Sequence, residues 1–231
     1  MHQSSFNAMQ CLVKKLLARA AQKHIRVLDV GSMVAEEDQT SYRSIFDNFR
    51  NATYTGLDMA AGKNVDIVAE DPYKFPLESE SFDLVISGQA FEHIEFPWLT
   101  ICEIARVLKP GGSAVVIAPS SGPEHRYPKD CWRFYPDGMR ALAKWAGLEC
   151  IDVVTNWQQT KRFMWGDTIG VFHKGGTAHP SPDLPLVKTG DLQQVVKIWT
   201  LASSLPNRSP QSAGNVMRRV LDRHILWRFK K

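Results

Sequence analysis

Three aspartates and two histidines stand where this 231-residue chain could do chemistry. Asp29 lies at the end of the short apolar run Ile25-Arg26-Val27-Leu28-Asp29-Val30, just before Gly31, Ser32 and Met33. Asp58 ends the run from Tyr54 to Leu57 and precedes Met59, and Asp71 follows Val65 to Val68. The run Phe82 to Ser87 leads into Gly88 and Gln89, then Phe91-Glu92-His93. A glycine at a strand end lets the backbone approach a ligand closely. An acidic residue at the end of the next strand can hold two ribose hydroxyls. Taken singly, Asp29 and Asp58 read as strand-end or turn residues; as a pair on neighbouring strands they favour a nucleoside-type ligand. Imidazole titrates near neutrality, so His93 or His125 could take a proton from a hydroxyl.

His125 sits in a long segment, Ser120-Ser121-Gly122-Pro123-Glu124-His125-Arg126-Tyr127-Pro128-Lys129-Asp130-Cys131-Trp132-Arg133-Phe134. Long loops dense in such groups are more often functional than connecting loops are. Asp130 could orient the His125 ring, and Arg126, Lys129 or Arg133 could hold a phosphate or carboxylate. Tyr127, Trp132 and Tyr135 could stack on a sugar or ring. The plainer alternatives are an Asp130–Arg133 structural ion pair, lid packing by the aromatic residues, and a Glu92-His93 pair that only steadies its loop. A second segment, with Trp157, Lys161, Arg162 and Trp165, could close another side of an acceptor pocket.

The elements that must position these groups follow from periodicity. Residues 4–22 form an amphipathic helix, with Phe6, Met9, Leu12, Val13, Leu16 and Leu17 at three- and four-residue steps. Helices are also expected over Ser41–Phe49, Trp98–Leu108 and Gly138–Ala146. The last two stop at Lys109-Pro110-Gly111-Gly112 and at Gly147. Seven short apolar runs read as strands: 25–30, 54–57, 65–68, 82–87, 113–118, 150–154 and 168–172, the last two antiparallel. Strands alternating with helices mean an α/β domain with a mostly parallel sheet, and such sheets bind ligands beyond the carboxyl ends of their strands. One link is awkward. Seven residues from Met59 to Val65 are too few for a parallel crossover, so either its helix is missing or the third strand is irregular.

The ordered segments VLDVGS, YTGLD, FPLESESFDLVIS, FEHIE and EIARVLKPGGSAVVIAP resemble the class I S-adenosylmethionine-dependent methyltransferases. They are most similar to the small-molecule group in which a helix, turn and strand read RVLKPGG. The resemblance spans residues 25–172 and implies a Rossmann-like, doubly wound, seven-stranded sheet. It implies S-adenosyl-L-methionine as cofactor and S-adenosyl-L-homocysteine as product. On that resemblance Asp29, Val30, Gly31 and Ser32 lie beside the amino-acid part of the cofactor, and Asp58 and Met59 at its ribose. Asp71, Pro72 and Tyr73 lie near the adenine, and Ser87, Gly88 and Gln89 form the wall after the fourth strand. Two departures stand out. The first motif carries one glycine where the family usually has three, and Pro72 has no N–H to give the adenine. The absence of Gly-x-Gly-x-x-Gly disfavours a nicotinamide enzyme. The expected activity is methyl transfer to a small acceptor, by O-methylation of a sugar, glycan or other hydroxylated metabolite. In it His125 or His93 acts as base with Asp130 beside it, and Arg126, Tyr127, Trp132 and Arg133 hold the acceptor. N-methylation, or a non-catalytic binding protein of the same fold, are the alternatives.

Composition narrows the rest. The net charge of +4 is uneven. Residues 175–231 hold nine Lys or Arg against three Asp or Glu, while the remainder is slightly acidic. The domain therefore reads as 1–174, with its N-terminal helix in 1–24, and 175–231 as a linker plus a basic helical C-terminal extension. Helices are expected at 192–205 and 216–229. The second could lie on an anionic membrane surface, though a solvated basic face is the simpler reading. A near-neutral body argues against a nucleic-acid partner. Cys11, Cys102, Cys131 and Cys150 show no metal-ligand spacing, so no metal is expected and reduced thiols in a cytoplasmic protein are. No apolar run is long enough to span a bilayer. Oligomeric state is not legible.

Overall fold

The computed structural model describes residues 3–20, 23–35, 40–47, 49–156, 166–175, 192–193 and 195–197. Seven strands make one sheet in the order β3-β2-β1-β4-β5-β7-β6. They are β1 (Ile25–Val30), β2 (Ala52–Asp58), β3 (Ile67–Val68), β4 (Phe82–Gly88), β5 (Leu108–Ser121), β6 (Glu149–Thr155) and β7 (Gly166–His173). The helices are α1 (Gln3–Arg19), α2 (Arg43–Phe46), α3 (Pro97–Val107) and α4 (Pro136–Trp145). The central strands are apolar on both faces, as strands covered by helices on two sides must be. β4 is buried along its whole length. β1 pairs in parallel with both β2 and β4, whereas β7 runs antiparallel between β5 and β6. From β1 the chain winds outward through β2 and β3, then returns to β4 on the other side. The strand order therefore reverses between β1 and β4, and a crevice opens at their carboxyl ends.

Two cores flank the sheet. On one face α1 lays Met9, Leu12 and Leu16 against Val27, Ile86, Ile117 and Ile169. Those three helix residues come from the periodic stripe, so the pattern that predicts the helix also supplies its buried face. On the other face α3 and α4 lay Ile101, Ile104, Met139 and Leu142 against Leu28, Val85, Val116 and Phe172. Leu192 and Val195 are buried in the α1-side core. Residues 194 and 198–205 of the expected helix, the basic 216–229 segment, and Trp157, Lys161, Arg162 and Trp165 lie outside the described residues. Among the described residues no helix is long and apolar enough to cross a membrane. Cys102, Cys131 and Cys150 are free thiols.

Three local expectations change. Helix α2 is one turn, Arg43–Phe46, rather than Ser41–Phe49, although Phe49 packs against the same core as Tyr42, Ile45 and Phe46. The short link after β2 contains no helix, and β3 is correspondingly reduced to two residues beside Leu57 and Asp58. Lys109-Pro110-Gly111-Gly112 is not a free turn. The chain leaves α3 directly into β5, and these four residues form a bulge between the Phe82↔Leu108 and Leu84↔Ser113 pairs, with Gly111 at φ +84°.

Candidate functional site

A cleft of about 1060 Å³ occupies the crevice. Val30, Gly31, Gly88 and Gln89 lie at its base, and Asp58, Met59, Ala69 and Pro72 along one wall. His93, Ile94, His125, Arg126 and Tyr127 stand at its other end, while Gln3 and Phe6 of α1 also reach it. Two glycines keep the base open. At Gly31 the backbone is left-handed, φ +79°, and a Cβ would lie 2.3 Å from the Ala90 Cβ. A Cβ on Gly88 would lie 2.1 Å from the buried Tyr42 Oη. Gln89 is held by its Nε2, which donates to Asp167 Oδ1 at 3.0 Å.

Asp58 joins two loops at the wall. Its Oδ2 accepts the Met33 N–H at 2.9 Å, and its Oδ1 accepts the Met59 N–H at 2.8 Å. Asp29 lies behind the base and does not line the cleft. It is 2% exposed and accepts a hydrogen bond from the Tyr54 hydroxyl. Burial pushes its carboxyl up to about 7, against the lowering effect of that hydrogen bond. Asn64 Nδ2 donates to Tyr54 Oη at 3.0 Å and to the Ser32 carbonyl at 2.7 Å, while the Arg43 guanidinium lies 4.5 Å over the Tyr54 ring. Ser32 lines a small separate cavity beside Asp29. Ser87 is buried and donates to the Val30 carbonyl at 2.8 Å, which pins β4 to β1. Asp71 turns away from the cleft into an Asx turn, its Oδ1 accepting the Tyr73 N–H at 2.8 Å. The Tyr73 ring packs on Phe96, with centroids 5.5 Å apart.

At the other end a single 3-10 turn, Phe91–His93, buries Glu92 completely and sets His93 beside His125, ring centroids 4.9 Å apart. His93 Nδ1 lies 2.5 Å from the Lys129 carbonyl. A carbonyl only accepts, so Nδ1 carries the proton and Nε2 keeps its lone pair. That Nε2 is 3.6 Å from Glu92 Oε1. Burial lowers the pKa of His93, which favours the neutral ring. Burial likewise pushes the Glu92 carboxyl up to about 8. The His125 N–H donates to Asp130 Oδ2 at 2.8 Å, and its ring Nδ1 is 3.6 Å from the same oxygen. Arg133 grips Asp130 at 2.5 and 2.8 Å and holds its carboxyl well below the usual range. Arg133 also donates to the Pro123 carbonyl, so its guanidinium is engaged within the loop. Trp132 packs on Trp98 and donates to the Ile94 carbonyl at 3.0 Å. Of the residues expected to hold an acceptor, Arg126 and Tyr127 line the cleft, while Trp132 and Arg133 stand behind it.

Sequence reasoning does not find Tyr42, Arg43, Tyr54 and Asn64 as supports of the site, because they come from the α2 turn, β2 and the loop after β2 and meet only in the fold. Phe6 carries a usable signal. It belongs to the apolar stripe of α1 yet lies half-buried at the cleft, stacked on Tyr42 with centroids 6.1 Å apart.

Residues 39–116 match the family model described as "Methyltransferase domain". No curated protein matches the sequence. Among solved structures, the [4+2]-cyclase SpnF is 18% identical, with a TM-score of 0.57, over 74% of this chain and 81% of that one. The YcgJ protein of Bacillus subtilis is 14% identical, TM-score 0.52, over 72% and 98%. Phosphoethanolamine N-methyltransferase 2 of Haemonchus contortus, in complex with S-adenosyl-L-methionine, is 16% identical, TM-score 0.52, over 72% of this chain and 52% of that one. At these identities the likeness is one of fold, and fold alone does not select a reaction. The matched segment, about a third of the chain, and a sheet of this order with its cleft at the β1–β4 switch point make this chain similar in fold to the class I S-adenosylmethionine-dependent methyltransferases.

Proposed function

We propose that this protein methylates a hydroxyl of a small acceptor, such as a sugar or another hydroxylated metabolite, bound at the His93–His125 end of the cleft. One observation carries the reading: two imidazoles, adjacent to each other and to the buried Glu92 carboxyl group, line the cleft that the fold reserves for the cofactor.

The residues present fit the cofactor. Gly31 leaves a cradle that a Cβ would fill. The Asp58 carboxylate faces the cleft and has lone pairs beyond the two that its backbone partners use. Met59, Ala69 and Pro72 offer an apolar wall for a base, with no N–H at Pro72 to read it. S-adenosylmethionine, when bound, supplies an electrophilic methyl group. The chain's own part is to hold the acceptor and handle its proton. His93 offers a lone pair on Nε2, and His125 is braced by an ionised Asp130. A base so placed contributes about 10²–10⁴-fold to a proton transfer. Arg126, paired with Glu124 at 2.7 Å but largely exposed, remains available to an anionic substituent.

The test is a methyl-transfer screen across sugar, phenol, carboxylate and amine acceptors, read by product mass. A hydroxyl acceptor is expected, and His125→Ala and His93→Ala should lower kcat on it about 10²-fold or more while S-adenosylhomocysteine binds normally. Full rate in both variants, or methylation of amines only, would overturn the reading.

A further inference from the structure

The geometry points to a divalent transition-metal site at this end of the cleft, with Glu92, His93 and His125 as its ligands. The three residues each offer a donor atom, and those atoms lie within 4.8 Å of one another. Glu92 is 0% exposed, and neither of its carboxylate oxygens has a hydrogen-bond partner. Buried carboxylates are normally bonded or paired, so two orphaned oxygens on one side chain call for an occupant. The neighbours do not satisfy them. His93 Nε2 and His125 Nε2 are 3.6 and 3.9 Å from Glu92 Oε1, beyond hydrogen-bonding reach. The 3.6 Å gap matches a cation between the atoms, and the 3.9 Å gap would close slightly around one. Tetrahedral coordination at about 2.0–2.2 Å sets ligand atoms about 3.3–3.6 Å apart.

The outer partners agree. Metal-bound histidines usually give their second N–H to a carbonyl or carboxylate, which fixes the tautomer. His93 does this to the Lys129 carbonyl, while His125 Nδ1 lies 3.6 Å from Asp130 Oδ2, an ion-pair distance rather than a hydrogen bond. Nitrogen donors with one carboxylate favour zinc, iron or cobalt over magnesium or calcium. Sequence spacing hides the set: Glu92 and His93 come from the turn after β4, and His125 from the segment after β5. Both histidines line the cleft, so a fourth position would open toward the acceptor. An acceptor oxygen taken there would be acidified by the cation, with the imidazoles serving as ligands and the proton leaving to water at the cleft mouth. That role rests on the proposed hydroxyl acceptor, whereas the binding site itself does not.

The test titrates chelator-stripped, tag-free, full-length protein with CoCl₂ and with ZnCl₂, by calorimetry and by the visible ligand-field bands of cobalt. One equivalent should bind each, with bands of low-coordinate cobalt. Affinity should fall more than 10²-fold in Glu92→Gln and in His125→Ala, each shown to be folded by its titration with S-adenosylhomocysteine. His93→Ala stands in if Glu92→Gln does not fold. No binding, or equal binding in His125→Ala, would overturn the site. Hydroxyl methylation indifferent to chelator, without cobalt binding, would overturn the site and leave the proposed function standing. Cobalt binding without methylation of any hydroxyl would do the reverse.

Discussion

Gly31 and Gly147 offer a controlled experiment on the cofactor cradle. Both have left-handed backbone, φ +79° and +69°. They differ in surroundings: a Cβ on Gly147 meets nothing within 4 Å, whereas one on Gly31 meets the Ala90 Cβ at 2.3 Å. In Gly147→Ala the cost is backbone strain alone, roughly 1–2 kcal/mol. Gly31→Ala carries the same strain plus the contact, which forces the end of β1 or the Ala90 loop to move. Overpacking of that kind adds about 1–3 kcal/mol, for a total of about 2–5 kcal/mol. Gly31 and Ala90 both line the cleft, so the displacement also reaches the ligand. Urea unfolding of both variants gives the stabilities, and titration with S-adenosylhomocysteine gives the affinities. Gly147→Ala should bind normally, since α4 and its end lie away from the cleft. Gly31→Ala should bind at least tenfold more weakly. Equal destabilisation of the two variants would refute the contact, and normal binding by Gly31→Ala would refute the cradle.

Tyr54→Phe should be costlier at pH 8 than at pH 5. Asp29 has a folded pKa of about 7, above its unfolded value, so folding takes up a proton between about pH 4 and 7. Its contribution to stability therefore falls as pH rises through that window and is level above it. At pH 5 the variant loses a hydrogen bond to a neutral carboxyl, about 1 kcal/mol; at pH 8 it leaves a buried carboxylate short of a donor, about 1.5–3 kcal/mol. Denaturant titrations at the two pH values decide this, and an equal loss at both would refute the assigned charge state. Asp58→Asn should weaken S-adenosylhomocysteine about tenfold or more, the value of a charged hydrogen bond, while changing unfolding free energy by less than about 1 kcal/mol. Unchanged calorimetric affinity would mean that Asp58 serves only its two backbone partners.

What was legible in the sequence was what local chemistry decides. A β-branched run stopped by glycine is a buried strand wherever it lies, so β1, β4 and the residues after them could be read directly. The stripe of α1 could be read because a helix repeats its buried face every three or four residues. The Asp29 environment could not be read, because it depends on register. Asp29 stands opposite Gly56 on β2, and only that pairing brings Tyr54, two residues earlier, and Asn64 within reach. Asp71 shows the opposite case. Its carboxylate follows a local rule, an Asx turn to Tyr73, rather than the position that family resemblance implies. Glu92 stood in plain view in Phe91-Glu92-His93, yet a neighbour in sequence says nothing about burial. The 3-10 turn is what sends Glu92 inward while His93 faces the cleft.

Asp130 illustrates why alternatives that look exclusive in a sequence need not be so in a structure. It could have been the orienter of His125 or the partner of Arg133. A carboxylate has about four lone-pair sites, and this one divides them. Oδ1 takes one Arg133 nitrogen at 2.5 Å. Oδ2 takes the other at 2.8 Å, accepts the His125 N–H at 2.8 Å, and still faces the His125 ring. The ion pair is thus what makes orientation effective. By holding the carboxyl ionised and its plane fixed, Arg133 gives the imidazole a constant negative neighbour across the working pH range. The same arrangement serves a base that must gain a proton and a ligand that must keep its ring turned toward a cation, so the loop after β5 is built for either chemistry without rearrangement.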